Sequence, residues 1–267
     1  MGRRPLLMGI VNVTPDSFSD GGRFLDPAAA IDRGLRLAAE GAEILDVGGE
    51  STRPYSQPVD AHEELRRVLP VVRALCQRVA VPVSIDTTKA LVAREAIDAG
   101  AEIINDVSGL EADSGMPDLA VRSGAAVCVM HTQGTPQTMQ NQPTYENVVE
   151  DVLEYLRGRR DALVAAGVPR DRIALDPGIG FGKKTQHNLD LLTHAGRIHE
   201  LGCPVLVGHS RKGFIGRVLG DPSGDPLAGT IGVSLALARQ GVQVLRVHDV
   251  GPVREALLLF EAVGGYA

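Results

Sequence analysis

The sequence predicts a single-domain α/β protein, a (β/α)8 TIM barrel that occupies residues 1–267. Three observations support this prediction: eight short apolar runs, amphipathic stretches between them, and glycines at the ends of those stretches. Short, β-branched, almost continuously apolar runs are typical of parallel strands buried on both faces. Eight strand–helix units in 267 residues match the size of one closed barrel.

Each element is justified by its local pattern. The predicted strands begin at Leu6, Ala42, Val81, Glu102, Ala125, Ile173, Pro204 and Val244. Apolar residues three and four positions apart predict helices in the stretches that start at Asp60 and Thr144. Glycine adopts the left-handed backbone conformation without strain, so it commonly follows the last turn of a helix. The glycines predicted to end helices are Gly41, Gly100, Gly124, Gly202 and Gly241.

Composition limits the classes of function. The net charge of −6 argues against nonspecific binding to nucleic acid or to a membrane surface. No apolar stretch reaches the roughly 18 residues that a membrane span needs. Cys76, Cys128 and Cys203 match no metal-ligand or CxxC spacing and are predicted to be buried thiols in a reducing cytoplasm.

Polar side chains follow every predicted strand. In a barrel of this kind the active site lies at the carboxyl ends of the strands. A single polar residue there is often only a helix cap or a turn former. A complete ring of such residues is harder to explain in that way and predicts an active site. Its members are Asn12, Asp46, Glu50, Asp86, Asn105, Asp106, His131, Asp176, Ser210, Lys212, Arg246 and His248.

One glycine-rich string needs a different interpretation from the one it first suggests. GIGFGKK from Gly178 resembles a phosphate-binding loop, but Lys184 stands where the motif needs Ser or Thr. Lys183 occupies the place of the third glycine in a dinucleotide fingerprint. The string is therefore predicted to be an ordinary turn between a strand and a helix.

Eight strings at the strand ends together resemble the dihydropteroate synthase family over nearly the whole chain. They are NVTPDSFSDGG, ESTRP, SIDTTK, NDVSG, MHTQGTP, DPGIGFGK, SRK and RVHDV. The resemblance implies a transferase of folate biosynthesis that joins para-aminobenzoate to 7,8-dihydropterin-6-ylmethyl diphosphate. It further implies Mg²⁺ as cofactor, a homodimer, two small-molecule substrates and a target for sulfonamides.

The pterin offers adjacent N–H donors, for which a carboxylate is the natural acceptor. Asp86 and Asp176 are the two candidates, in agreement with the resemblance. Asn105 can both donate and accept, Met130 would supply an apolar wall, and Lys212 can donate to a ring acceptor. The resemblance adds Gly180 to this set.

The diphosphate needs cations and donors, because negative charge develops on it as it leaves. Arg246 and His248 match that need, and Arg53 is expected to close over the group. Mg²⁺ would bind the diphosphate through Asn12 and water, since this ion favours few protein oxygens together with substrate phosphates. The resemblance places Lys212, Arg246, His248 and Arg53 in the catalytic machinery. Taken alone, Arg246 could instead form an ion pair at the rim of the barrel.

Para-aminobenzoate brings an aromatic ring and a carboxylate. Ser210 is predicted to offer its hydroxyl near the start of the SRKGFIG helix. By resemblance, Phe181 and Pro54 pack the ring with Thr52 beside them, and Phe18 belongs to a lid. Phe181 could also be a simple packing residue of its turn.

Two other functions fit parts of the pattern. A methyltetrahydrofolate-dependent methyltransferase would share Asp86 and Asp176, but would not need Arg246 and His248 for a diphosphate. A non-catalytic paralogue would keep the fold as a binding protein, which the intact strand ends disfavour.

Overall fold

Strands and helices alternate along the computed structural model of the chain, which describes residues 4–14, 27–53, 56–135, 137–139 and 141–266. The strands are β1 (Leu6–Asn12), β2 (Ile44–Gly48), β3 (Val83–Asp86), β4 (Ile103–Asp106), β5 (Ala126–Met130), β6 (Ile173–Asp176), β7 (Leu206–Val207) and β8 (Val244–Val247). Each strand pairs in parallel with its neighbours. The eight predicted strands are therefore confirmed.

The sheet closes on itself. Its strand order is β6-β5-β4-β3-β2-β1-β8-β7, so β6 and β7 lie at the two ends. A parallel bridge between Leu175 and Val205 joins these ends, and the amide of Leu175 donates to the carbonyl of Pro204 at 2.8 Å. The predicted TIM barrel is confirmed.

Helices follow the strands and cover the outside of the barrel. In the described ranges they are α1 (Pro27–Ala39), α2 (Ala61–Arg78), α3 (Ala90–Asp98), α4 (Met116–Ser123), α5 (Val148–Ala166), α6 (Thr185–Thr193), α7 (Gly213–Leu219), α8 (Leu227–Arg239) and α9 (Val250–Ala262). α2 begins where predicted, because the Asp60 side chain accepts hydrogen bonds from the amides of His62 and Glu63. α7 and α8 both follow β7.

The five predicted helix-ending glycines all have positive φ. Gly41, Gly100, Gly124, Gly202 and Gly241 have φ angles of 100°, 111°, 66°, 69° and 78°. Side chains other than that of glycine are strained in this region, which explains why glycine stands there. Each returns the chain from a helix or helical turn toward the next strand.

Alternation along the strands separates the core from the site. A small cluster of strand residues fills the barrel interior and consists of Met8, Ile44, Ile103, Cys128, Leu206 and Val244. Intervening strand residues such as Leu45 and Val127 face the helices and join a much larger apolar core. Because side chains alternate between faces, residues two positions beyond the interior cluster also point inward. These residues are Asp46, Asn105, Met130 and Arg246.

Two further observations concern the described residues. None of their helices combines the length and apolarity needed to cross a bilayer. Cys76, Cys128 and Cys203 are free thiols, and Cys128 and Cys203 are buried.

Candidate active site

The carboxyl ends of the strands surround a cavity of about 1250 Å³. Cations outnumber carboxylates along its described lining, which suits an anionic ligand. Eleven residues predicted from the sequence lie on it: Asn12, Glu50, Thr52, Arg53, Asp86, Gly180, Phe181, Ser210, Lys212, Arg246 and His248.

Four predicted pterin residues come together through strand register. Asp86 on β3 is level with Asn105 on β4, and Met130 on β5 is level with Asp176 on β6. Asn105, Met130 and Asp176 are only 4–5% exposed. Oδ1 of Asp176 accepts a 2.7 Å hydrogen bond from the amide of Gly178, which aligns the carboxylate. Burial raises the pKa of Asp176 above its ordinary value. Of these four residues, Asp86 lies on the cavity lining, whereas Asn105, Met130 and Asp176 are buried beside it and do not form part of that lining.

Arg246 is paired with two carboxylates. Its Nε lies 2.6 Å from Oδ2 of Asp46, and its Nη2 lies 2.6 Å from Oδ2 of Asp86. Asn105 also donates to Oδ2 of Asp46, at 3.1 Å. Burial raises the pKa of Asp86, and the charge of Arg246 opposes this shift. The negative charge of Asp46 nearby raises the pKa further. The ion pair considered from the sequence is thus present, while one edge of Arg246 still faces the cavity.

Lys212 and Phe181 form a second wall. Nζ of Lys212 lies 4.1 Å from the centroid of the Phe181 ring and donates to the carbonyl of Ile179. Burial lowers the pKa of Lys212 to about 8, although Asp176 favours its charged form. Gly180 has a φ of 86°, and a Cβ there would come within 2.9 Å of the Lys212 side chain. A larger residue at Gly180 would therefore displace Lys212.

Ser210 and His248 are hydrogen-bonded to each other. The amide of His248 donates to Oγ of Ser210 at 3.2 Å, and Nδ1 of the same residue lies 3.1 Å from Oγ. The hydroxyl can donate its proton to Nδ1 while it accepts from the amide, and with this assignment the imidazole proton is on Nε2. Burial, aided by Arg246, lowers the pKa of His248 to about 3, so the ring is neutral.

The structure corrects the predicted helix start at Ser210, whereas the contact of Ser210 with para-aminobenzoate stays a prediction, since this residue lies on the cavity. The hydroxyl was expected to serve para-aminobenzoate at the start of the following helix. In the structure α7 starts only at Gly213, and the hydroxyl is engaged by His248. The physical reason is that Ser210 and His248 follow the adjacent strands β7 and β8, which brings them side by side.

The loop after β2 carries Thr52 and Arg53 to the cavity. Its base is tied down, because Glu50 accepts from the amide of Val59 at 3.1 Å and from the ammonium of Lys89. Arg53 itself is exposed. Phe18 and Pro54, both predicted for para-aminobenzoate, lie outside the described residues.

The donor set allows a test of the expected metal. Within the described ranges, no group of three or more His, Cys, Asp or Glu side chains could hold a metal ion. Asn12 supplies an amide oxygen to the same cavity as Arg53, Arg246 and His248. Such a lining does not fit a cage built from protein ligands alone. It fits an Mg²⁺ ion that binds mainly through substrate phosphate.

Sequence reasoning missed roles for two buried residues. Asp46 was noted at a strand end without an assignment, yet it is fully buried, and its Oδ1 has no hydrogen-bond partner among the described residues. Lys183 was considered only as the residue that breaks a dinucleotide fingerprint, yet it is 2% exposed. A charged residue inside an otherwise apolar or glycine-rich string was the available signal in both cases.

Comparison with known proteins identifies the family. The family profile described as "Pterin binding enzyme" matches residues 8–248. The chain belongs to the pterin-binding enzyme family. The matched segment begins in β1 and ends at His248, so it spans every strand of the barrel.

Individual relatives narrow the activity. Dihydropteroate synthase from Haemophilus influenzae is 43% identical over 258 residues, which cover 97% of this chain and 94% of the relative. The Yersinia pestis synthase with a sulfonamide drug superposes with a TM-score of 0.92 at 43% identity, covering 97% of this chain and 94% of that chain. The Xanthomonas albilineans synthase with 4-aminobenzoic acid superposes with a TM-score of 0.91 at 46% identity, covering 97% of this chain and 93% of that chain.

These similarities decide between the functions considered from the sequence. The relatives named above are dihydropteroate synthases, which favours that activity over the methyltransferase and the non-catalytic paralogue. The chain is a transferase of folate biosynthesis of the dihydropteroate synthase type.

Proposed function

We propose that the chain condenses 7,8-dihydropterin-6-ylmethyl diphosphate with para-aminobenzoate, which yields 7,8-dihydropteroate and diphosphate. One observation carries this proposal: a single cavity joins the Asp86 carboxylate, a lysine over an aromatic ring, and a histidine beside arginines, with the buried Asp176 carboxylate at the same end of the barrel. The carboxylates suit a pterin, the aromatic wall suits para-aminobenzoate, and the donors suit a diphosphate.

The pterin would lie against the β3–β6 side of the cavity. Asp176 and Asp86 would accept hydrogen bonds from the amino-pyrimidinone edge, and Asn105 would add a donor and an acceptor. Met130 would pack on the flat ring. Lys212 would donate to a ring acceptor, since its Nζ already donates to a carbonyl at the edge of this site.

Arg246 would serve both halves of the site. Two buried carboxylates in one wall repel each other, and the guanidinium between Asp46 and Asp86 offsets that repulsion. Its cavity-facing edge would donate to the diphosphate as negative charge grows. The arginine would therefore link pterin binding to departure of the leaving group.

His248 would donate from Nε2 to a diphosphate oxygen, because Ser210 holds Nδ1 as an acceptor. A neutral donor with a fixed tautomer needs no reorganisation as the leaving group departs. Arg53 would close over the same group. Asn12 would provide the protein oxygen for Mg²⁺, which when bound would neutralise charge on the diphosphate.

The reaction would form one bond and break another. The amine nitrogen of para-aminobenzoate forms a bond to the pterin methylene carbon, and the bond from that carbon to the diphosphate oxygen breaks. The electron pair of the broken bond leaves with diphosphate, and the amine nitrogen then loses one proton to solvent. Arg246, His248 and Arg53 stabilise the developing negative charge.

Phe181 and Thr52 would form the described part of the para-aminobenzoate pocket, with Pro54 and Phe18 completing it. The Xanthomonas albilineans relative binds 4-aminobenzoic acid and the Yersinia pestis relative binds a sulfonamide drug. We therefore expect sulfonamides to compete with para-aminobenzoate in this pocket.

The outer face of α7–α9 would pair two copies of the chain. Val218, Leu219, Leu259 and Val263 are between 57% and 81% exposed and lie on neighbouring helices of this face. Exposed apolar side chains on two helices that both pack against α8 favour association. Sedimentation equilibrium should report a homodimer that Leu259→Glu dissociates, whereas Val164→Glu on the distant α5 should leave it intact.

Product formation tests the proposed reaction directly. The purified chain should form 7,8-dihydropteroate and diphosphate when both substrates and Mg²⁺ are supplied. Omission of either substrate should abolish product. Failure with both substrates and a folded protein, together with methyl transfer from methyltetrahydrofolate, would reject the proposal.

A further inference from the structure

Lys183 is a buried cation that the proposed reaction does not use. It lies in the turn between β6 and α6, is only 2% exposed, and still forms part of the cavity lining. Lysine is rarely buried without partners, because removal of an ammonium group from water is costly. Its contacts therefore need an explanation.

The partners of Lys183 come from two loops. Its Nζ lies 2.9 Å from Nδ1 of His131, 3.3 Å from the carbonyl oxygen of His131 and 2.9 Å from the carbonyl oxygen of Phe181. No carboxylate among the described residues is hydrogen-bonded to it. The three donors of the ammonium thus meet three neutral acceptors, and they join the end of β5 to the turn after β6.

The state of His131 agrees with this arrangement. Burial lowers the pKa of His131 to about 3, so its Nδ1 can accept. Tyr155 packs edge-on against the ring, with centroids 4.9 Å apart. Burial also lowers the pKa of Lys183 to about 7, despite the nearby charge of Asp176. The position therefore keeps an ammonium at a cost, which an apolar side chain would avoid.

Phe181 is the residue that this contact restrains. It stands between Gly180 and Gly182, whose φ angles are 86° and 62°, so the intrinsic conformational freedom of the turn is large. Lys183 holds the carbonyl of Phe181, and Lys212 lies over its ring. Two lysines therefore contact one residue, Lys183 at its backbone carbonyl and Lys212 at its ring.

We propose that Lys183 is a positioning residue for para-aminobenzoate: it ties His131 to the Phe181 carbonyl and so keeps the Phe181 ring in place as a wall of that pocket. This inference rests on the proposed function, because it takes Phe181 as part of the para-aminobenzoate site. It assigns Lys183 no contact with either substrate.

Four variants test the proposal. Lys183→Met removes the donors at similar length, Lys183→Gln retains two neutral N–H donors, and Phe181→Ala removes the wall itself. Lys184→Met is the matched control, since the adjacent lysine is exposed. Calorimetry would measure para-aminobenzoate binding in the presence of diphosphate and Mg²⁺, and separately the binding of the pterin diphosphate.

We expect Lys183→Met to weaken the binding of para-aminobenzoate by about tenfold, because the hydrogen bonds of the lysine are lost. The affinity for the pterin diphosphate should change by less than about threefold. Lys183→Gln should recover part of the loss, and Lys184→Met should bind like the parent. If Lys183→Met does not fold, Lys183→Gln decides: a selective loss of para-aminobenzoate supports the proposal, and parental binding overturns it.

Three other results would overturn the proposal for different reasons. If Phe181→Ala weakens para-aminobenzoate but both Lys183 variants do not, only the role of Lys183 fails. If Phe181→Ala also binds normally, the pocket assigned under the proposed function fails, and the role of Lys183 fails with it. An equal loss of both ligands in Lys183→Met would indicate a general structural role and would also overturn it.

Discussion

Nη2 of Arg246 lies 2.6 Å from Oδ2 of Asp86, which connects the end of β8 to the end of β3 across the mouth of the barrel. The same guanidinium lies 2.6 Å from the fully buried Asp46. One positive charge therefore offsets two buried carboxylates. Removal of a single partner from such a cluster is more damaging than removal of the whole cluster, because it leaves charge uncompensated.

The first prediction follows from this pairing. Arg246→Met should lower the free energy of unfolding by about 3–5 kcal/mol, because Asp46 and Asp86 lose their counterion. Adding Asp46→Asn and Asp86→Asn should recover much of that stability without restoring activity. Urea denaturation at pH 7 measures both effects. An Arg246→Met protein as stable as the parent would show that the ion pairs contribute little.

The second prediction concerns the pterin anchor. Asp176→Asn replaces a charged acceptor by an amide whose donors would face substrate donors, so pterin diphosphate should bind at least tenfold more weakly, about 1.4 kcal/mol. Calorimetry provides the measurement, with Asp190→Asn on α6 as the control. Unchanged binding in a folded Asp176→Asn protein would remove Asp176 from the pterin site.

The third prediction distinguishes contacts to the diphosphate leaving group from contacts to the pterin ring. His248→Ala should lower turnover by a larger factor than it weakens a pterin without diphosphate, because its contact is to charge that grows in the transition state. Ser210→Ala should reproduce part of this loss, since it releases the tautomer of His248. Steady-state kinetics and calorimetry together measure the two effects. Loss of para-aminobenzoate affinity alone in Ser210→Ala would instead support the role expected from the sequence.

The fourth prediction concerns the order of binding. Arg53 is exposed in the structure, so its contact with diphosphate requires its side chain to be immobilised, which costs roughly 1.5–2 kcal/mol. Bound diphosphate with Mg²⁺ would offset that cost. Labelled para-aminobenzoate should therefore bind far more tightly when diphosphate is present, and Arg53→Ala should remove most of the difference. Arg36→Ala, another arginine on the cavity, is the control.

The fold was predictable because each element carried its own local signal. The short apolar runs that begin at Leu6 and Val244 indicated buried strands. Gly41 and Gly100 indicated the ends of helices. The position of the site followed from the barrel. The register of neighbouring strands and the alternation of side chains along each strand are enough to bring together four residues: Asp86, Asn105, Met130 and Asp176.

The partners of charged groups were not predictable in the same way. Arg246 forms ion pairs with Asp46 and Asp86, which lie 200 and 160 positions earlier in the chain. No local sequence pattern indicates those partners. Ser210 was expected to act through the helix after it, but β7 and β8 place His248 closer. Lys183 stands where a dinucleotide fingerprint needs a glycine, and only the tertiary structure shows that its ammonium joins two loops.

The last prediction concerns a buried histidine beside the site. His209 is fully buried, and its Nε2 lies 2.9 Å from Oγ of Ser234 and 3.2 Å from the carbonyl of Thr230 on α8. Burial lowers the pKa of His209 to about 4. The unfolded chain takes up a proton near pH 6.5, whereas the folded chain resists it. Stability from this residue is therefore complete above about pH 6.5 and is lost as the pH falls toward the folded pKa.

His209→Gln isolates this effect, since it retains a donor for Ser234 but does not titrate. Between pH 7 and pH 5 the parent should lose roughly 1–2 kcal/mol more unfolding free energy than His209→Gln does. His131 and His248 shift in the same direction and Asp106, whose pKa burial raises to about 6, in the opposite one, but these groups occur in both proteins. Urea denaturation of both proteins at each pH gives the difference. Equal losses would mean that His209 already accepts a proton in the folded protein.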